Sequence, residues 1–191
     1  MITQHSATIF VDRDGVINQD SDDFIKSLAE WHPIPNSIEA LAALSQRFNI
    51  IVITNQSGIA RGLLTTAELD AMHTELKKQV HAFGGSITDI LYCPHGPNDL
   101  CTCRKPKPGL LLQAQEKYAL NLKNSWCIGD SYRDLEAGLA VGTQAALVRT
   151  GKGLRTLAQH PELEKTLRIF DDLNAFSTWI LTLDTQKDTS C

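Results

Sequence analysis

Short, fully apolar runs alternate along this chain with longer stretches in which apolar side chains recur every three or four positions. Residues 7–11 (ATIFV) read as a buried strand that stops at Asp12. Ile38, Leu41, Leu44 and Phe48 then recur at helical spacing, and residues 50–53 (IIVI) form a second β-branched run ending at Thr54. Thr65 followed by Glu68 makes a capping box ahead of a single stripe of Leu69, Met72, Leu76, Val80 and Phe83, which predicts a long amphipathic helix. Residues 87–92 are a third strand, and Pro108 can take the first position of the next helix, with Leu111, Ala114 and Tyr118 on one side. A strand over 125–128, a helix over 135–141, a strand over 145–148, a short strand at 169–170 and a helix over 173–183 complete the series. Residues 151–160 fit neither period, and 184–191 are expected to fray, leaving Cys191 idle.

Strands and helices in alternation imply an α/β fold, a Rossmann-like parallel sheet with helices on both faces. At 191 residues the chain is long enough for one full core and too short for two ordinary ones, so a single domain over 1–191 is expected. The 42% hydrophobic and 21% charged content fits a soluble globular chain and excludes disordered, collagenous and coiled-coil classes. No apolar run approaches the ~18 residues of a membrane span. The opening MITQHSATIFVDRD has no signal-peptide pattern, so a cytoplasmic monomer with no membrane partner is expected. A net charge of −4 removes the electrostatic footprint that nucleic-acid binding needs.

In open α/β sheets ligands bind beyond the carboxyl ends of the strands. That rule gathers Asp12-Arg-Asp14-Gly15, Thr54-Asn55-Gln56-Ser57-Gly58 and Gly129-Asp130-Ser131-Tyr-Arg-Asp134 at one rim, with Arg104-Lys105-Pro106 just before a helix. Asp12, Asp14 and Asp130 would repel one another unless a divalent cation sits among them, and an all-oxygen set suits Mg²⁺. With that ion to neutralise a phosphate, one carboxylate can attack phosphorus while a second protonates the departing alkoxide. Lys105 and the Thr54 hydroxyl would hold the transition-state oxygens, and Gly15 and Gly58 would let backbone amides approach them. Taken singly each segment reads as a polar turn or a cap. It is their joint placement at strand ends that points to phosphoryl transfer.

Three of the five cysteines and one histidine fall within eleven residues, CPHGPNDLCTC. In a reducing compartment such clustering favours a metal over a disulfide framework, the bland alternative being reduced thiols in a loop. Cys93, His95, Cys101 and Cys103 have the composition of a closed four-ligand structural zinc site, the loop spanning 93–103. Cys127, alone in an apolar strand, reads as a core residue.

These motifs resemble the haloacid dehalogenase superfamily of phosphotransferases, with Asp12-x-Asp14-Gly first, Thr54-Asn55 second, Lys105 third and Gly129-Asp130 through Asp134 fourth, over roughly 8–150. Within it, IFVDRDGVIN, ITNQSGIARG, CPHGP…CTCRKPKPG and CIGDSYRDLEAG are similar to the heptose bisphosphate phosphatases. The resemblance implies a Mg²⁺-dependent phosphomonoesterase of heptose supply for bacterial lipopolysaccharide, working through an aspartyl-phosphate and lacking a large cap domain. It makes Asp12 the nucleophile, Asp14 the general acid and then base, and Asp12, Asp14 (through its main-chain carbonyl) and Asp130 the Mg²⁺ ligands. Thr54, Asn55 and Lys105 become phosphoryl stabilisers. Gln56, Ser57, Arg104 and the loop Asp20, Ser21, Asp22 and Asp23 become substrate contacts, although Ser21-Asp22-Asp23 replaces a Gly-Tyr-Val common in the family. It also implies structural Zn²⁺ on the Cys/His loop.

A histidinol-phosphate phosphatase shares the DRDGV and TNQ patterns and is the alternative; a non-enzymatic zinc-loop interaction module is a third reading. Trp31 is expected to pack near the first helix with His32 at the surface, and His73 and His81 to lie away from any ligand. Arg61 either reaches a second phosphate or is a surface arginine.

Overall fold

A computed structural model describes residues 7–188, with side chains through residue 183. Residues 189–191, and with them Cys191, lie outside the described residues, as do residues 1–6. Six strands, β1 (Thr8–Val11), β2 (Asn49–Asn55), β3 (Asp89–Cys93), β4 (Trp126–Gly129), β5 (Gln144–Val148) and β6 (Arg168–Phe170), form one sheet in the order β3-β2-β1-β4-β5-β6. Every pairing is parallel, with Phe10 opposite Ile51 on one side and Cys127 on the other.

Buried on both faces, β1 and β2 are apolar without interruption, as a central parallel strand must be. Successive side chains go to opposite faces. Ile9, Val11, Ile50 and Val52 join one core with helices α1 (Ser37–Leu44), α2 (Thr66–Ala82) and α7 (Leu173–Asp188). Phe10, Ile51, Ile53 and Cys127 face the other way, against Leu110, Leu111 and Ala114 of α3 (Gly109–Tyr118) and Ala137 of α4 (Tyr132–Leu139). Cys127 is therefore a core residue, and Trp31 is buried with its indole Nε1 donating to Asn18 Oδ1 at 3.0 Å.

The expected capping box of α2 is formed, Thr65 Oγ1 accepting from Glu68 N and the Glu68 carboxylate accepting from Thr65 N. Pro108 departs from expectation: it precedes α3 rather than opening it. The next amide explains this, since Gly109 N donates to the Thr102 carbonyl at 3.1 Å and so ties the helix start to the Cys/His loop. Residues 151–160 contain α5 (Gly153–Gln159), and the unexpected α6 (Leu163–Thr166) follows. Leu157 and Leu163 join Leu147 in a small third cluster. The last helix continues to Asp188, into the segment expected to fray. Between β1 and β2 the only helix is α1, so nothing there among the described residues has the size of a large cap. No helix among the described residues is long and apolar enough to cross a membrane.

Strand order reverses beside β1, where the chain leaves toward β2 and β3 and later returns on the other flank as β4. A crevice forms at such a switch point, beyond the strand ends. Asp12 follows β1 and Asp130 follows β4.

Candidate active site

Asp12, Asp130 and Asp134 bring carboxylate oxygens within 4.8 Å of one another at this crevice. Lys105 stands among them, buried, its ammonium 2.9 Å from Asp12 Oδ1 and 2.6 Å from Asp134 Oδ1 and donating to the Ile53 carbonyl at 2.8 Å. Two carboxylates and a main-chain carbonyl surround the ammonium, which holds the cation in place. Burial alone would depress the lysine, but Asp12 and Asp134 outweigh it and hold its pKa above the ordinary range.

The carboxylates show the opposite strain. Burial raises Asp12 to about 7 against the pull of Lys105, with Asp134 and Asp14 adding repulsion. Burial, then Asp134 and Asp12, raises Asp130 to about 8. A divalent cation between Asp12 and Asp130 would relieve both, and the all-oxygen donor set fits a hard ion. Asp134 is already committed: besides Lys105 it accepts from Ser131 N and Oγ at the start of α4. It balances the lysine and caps the helix, a role its buried position reveals and the sequence did not.

Asp14 does not join this cluster through its side chain. Arg13, fully buried, donates to it from Nε at 3.1 Å and Nη2 at 2.9 Å, and Asn18 and Gln56 add amide donors at 2.9 and 2.8 Å. Burial would raise the Asp14 carboxyl, yet the Arg13 charge and these amides hold it below the usual range. The Mg²⁺ ligand expected of Asp14 was its main-chain carbonyl, and its carboxylate is held by these donors apart from the Asp12–Asp130–Asp134 cluster.

Two glycines press the backbone onto Asp130. Gly15, at φ +85°, and Gly151, at φ +55°, have conformations that suit glycine, and a Cβ on either would stand 2.1 or 2.2 Å from Asp130 Oδ2. The same oxygen accepts from Lys152 N at 2.7 Å, while Thr150 Oγ1 donates to the Gly15 carbonyl at 2.7 Å. The segment after β5, which fitted neither period in sequence, therefore completes the rim.

A cleft of about 240 Å³ opens over these groups, sized for a small metabolite rather than a polymer. Thr54, Asn55, Gln56, Ser57, Arg104, Asp20, Ser21 and Asp22 all line it, as expected. Their partners refine their roles. Asn55 uses both amide atoms on the main chain of Lys105, at 3.0 and 3.1 Å, and so fixes the backbone that carries that lysine. Gln56 Nε2 bridges Thr54 Oγ1 and Asp14 Oδ2, each at 2.8 Å.

Asp23, expected beside Asp22 as a substrate contact, is exposed and does not line the cleft; its amide donates to Ser21 Oγ and its carbonyl accepts from Lys26 Nζ. Phe24 turns inward in its place, with the Arg61 guanidinium 5.4 Å from its ring. Arg61 and Arg133 line the cleft with Arg104, close enough that, after burial, Arg133 is the main neighbour depressing Arg104. Phe24, Arg133 and Lys152 carried no sequence signal beyond lying near motif residues. His73 is buried against Tyr92, its Nε2 without a hydrogen-bond partner, and burial pushes it down to about 3, so the imidazole is a neutral packing group.

At the end of β3 the second cluster assembles. Cys93 Sγ lies 3.2 Å from Cys103 Sγ, 3.8 Å from Cys101 Sγ and 3.5 Å from His95 Nδ1, which is 3.3 Å from Cys103 Sγ. Donors around a tetrahedral ion at ~2.0–2.3 Å lie about 3.3–3.8 Å apart, so the four atoms fit such an ion. The sulfur separations far exceed a disulfide bond of ~2.05 Å, and all three thiols are free. Burial raises Cys93 to about 12 as a thiol, which a coordinated cation would reverse. This loop leads directly into Arg104 and Lys105, and Cys93 O accepts from Gln56 N at 2.7 Å. It is scaffolding for the chemistry beside it.

Known proteins carry the same architecture. A family model described as HAD-hydrolase-like matches residues 102–176. A D-glycero-beta-D-manno-heptose-1,7-bisphosphate 7-phosphatase of Pseudomonas aeruginosa is 56% identical over 174 residues, covering 91% of this chain and 97% of that protein. A namesake from Neisseria meningitidis is 47% identical, covering 91% and 94%. Among solved structures, the D,D-heptose 1,7-bisphosphate phosphatase of Bordetella bronchiseptica, complexed with magnesium and phosphate, superposes with a TM-score of 0.87 at 43% identity, covering 92% of this chain and 98% of that one.

Proposed function

The chain belongs to the D-glycero-beta-D-manno-heptose-1,7-bisphosphate 7-phosphatase family of haloacid-dehalogenase-like hydrolases, and from that membership we propose that it removes the 7-phosphate of this sugar bisphosphate through an aspartyl-phosphate on Asp12. On this reading it serves heptose supply for bacterial lipopolysaccharide. The observation that carries the mechanism is the convergence of Asp12 and Asp130 on one site with the Lys105 ammonium 2.9 Å from Asp12 Oδ1. Relatives at 47–56% identity that are heptose-1,7-bisphosphate 7-phosphatases favour this reading over a histidinol-phosphate phosphatase, and the three arginines of the cleft suit a substrate with a second phosphate.

Asp12 and Asp130, with the main-chain carbonyl of Asp14, would hold Mg²⁺, which draws charge from the phosphate oxygens so that an anionic nucleophile can approach. An Asp12 carboxylate oxygen forms a bond to phosphorus as the bond from phosphorus to the sugar oxygen breaks. Asp14 gives that oxygen its proton. Lys105 and Thr54 bear the charge on the equatorial oxygens. Water then attacks the acyl phosphate, Asp14 takes its proton, and inorganic phosphate leaves with Asp12 restored. Arg61, Arg104 and Arg133 hold the phosphate that is kept, and Ser21, Asp22, Gln56 and Ser57 line the sugar's side of the cleft. Zn²⁺ on Cys93, His95, Cys101 and Cys103 would be structural, since four protein donors leave no open position.

Acid quenching during turnover of phosphorus-labelled substrate tests the covalent step. Label should remain on the wild-type protein when Mg²⁺ is present and be absent from Asp12→Asn, whose turnover should fall by more than about a hundredfold. An Asp12→Asn enzyme that keeps substantial turnover overturns the mechanism.

A further inference from the structure

Lys152 has two attachments that the phosphatase mechanism does not use. Its main-chain amide donates to Asp130 Oδ2 at 2.7 Å, and its ammonium pairs with Asp20 Oδ2 at 2.6 Å. Asp20 opens the loop that carries Ser21, Asp22 and Phe24 into the cleft, and Lys152 lines the same cleft. One residue thus touches both the carboxylate expected to hold the metal and the loop expected to meet the sugar. Neither end is loosely placed. Asp130 Oδ2 is packed against Gly15 and Gly151, where any Cβ would collide with it, and Thr150 ties the segment to the Gly15 carbonyl. The Asp20 and Lys152 side chains are only 16% and 30% exposed, so the pair is partly shielded from solvent screening.

We propose that Lys152 is a positioning residue for specificity: its ion pair with Asp20 tethers the substrate loop to the segment that orients Asp130, and cancels a carboxylate charge that would otherwise repel a phosphorylated sugar. The proposal rests on the sugar-phosphatase reading for its substrate, but the tether itself exists in the free protein. Loop closure over a bound sugar then requires no new charge to be buried, because Asp20 is already paired. A small aryl phosphate that fills only the phosphate end of the cleft depends on this loop far less.

A double-mutant cycle separates the tether from general damage. Lys152→Gln and Asp20→Asn each keep the local backbone and remove one charge. Lys152→Gln should raise KM for the sugar bisphosphate about tenfold, with kcat lowered less and with a smaller rise in KM for an aryl phosphate, and Asp20→Asn should raise it less because no unpaired carboxylate is left to repel the substrate. Together they should do no more than Lys152→Gln alone, and Lys152→Arg should stay within about twofold of wild type because arginine preserves the pair. Additive effects of the two substitutions overturn the proposal. So does an equal loss on both substrates accompanied by weaker activation by Mg²⁺, which would mean that Lys152 acts only through Asp130. Amide hydrogen exchange of residues 20–24 reads the tether with no substrate: faster exchange in Lys152→Gln is expected, and unchanged exchange refutes it. If wild-type enzyme leaves the sugar bisphosphate intact, the phosphatase reading fails while this exchange result still decides the tether.

Discussion

Asp14 carries two demands that pull against each other. A base must be anionic to take a proton from water, and the fork of Arg13 with the amides of Asn18 and Gln56 keeps it so. An acid must be protonated, and for that half of the reaction the same donors have to loosen. Gln56 offers a route, since its Nε2 is shared with Thr54 Oγ1, where a phosphate oxygen would compete. Asp14→Asn should therefore lower kcat on an alkyl phosphate by ~10²–10⁴, the usual worth of general acid–base catalysis. Formation of the phosphoenzyme from an aryl phosphate, whose phenolate leaves without a proton, should suffer less. Burst kinetics with both substrates check this, and equal loss in the first step would reduce Asp14 to a structural carboxylate. At this scale Asp12, Asp14 and Asp130 were legible because each follows a strand in a recognisable polar segment, and Lys105 because its Arg-Lys-Pro segment sits between the Cys/His loop and a helix. Arg13 was not: a charged side chain at a strand end reads as solvated, and only the fold shows it fully buried. The exposure of Asp23 was not legible either, since one turn decides which of Asp20 to Phe24 points inward.

Elements were legible where their periods were clean and obscure where a neighbour set their limits. The central strands and the capped α2 follow from apolar runs and the Thr65–Glu68 pair. The start of α3 is decided by the Thr102 carbonyl, back in the Cys/His loop where no local pattern reports it, and α5 by the packing of Leu157 into the cluster that holds Leu147. That makes the Cys/His loop the element with the largest reach. It holds Gly109 at one end, Gln56 through Cys93 O at the other, and presents Arg104 and Lys105 between them. Protein purified without added metal should contain one zinc per chain. Cys101→Ser or Cys103→Ser should lower the thermal midpoint by at least ~5 °C and raise KM, while activation by Mg²⁺ persists. Elemental analysis and thermal melts check both. Metal-free protein with an unchanged midpoint and KM would leave the cluster as reduced thiols in a loop.

The whole molecule sets carboxylates against guanidinium groups across one cleft. Parallel order and the reversal beside β1 bring Asp12 and Asp130 together although they are far apart in sequence, and the end of β2 and the loop before α3 add Thr54 and Lys105. Arg61, Arg104 and Arg133 come from three different segments to line the same space. A substrate with two phosphates can thus lie with one at the carboxylates and lysine, where bonds are made and broken, and the other at the arginines, where it is only held. The central claim is this division of labour, and the position of the surviving phosphate tests it most directly. Phosphorus NMR of the heptose bisphosphate during turnover with Mg²⁺ should show the 7-phosphate signal replaced by inorganic phosphate while the 1-phosphate signal remains. Loss of the 1-phosphate instead, or no release of phosphate at all, would contradict the account.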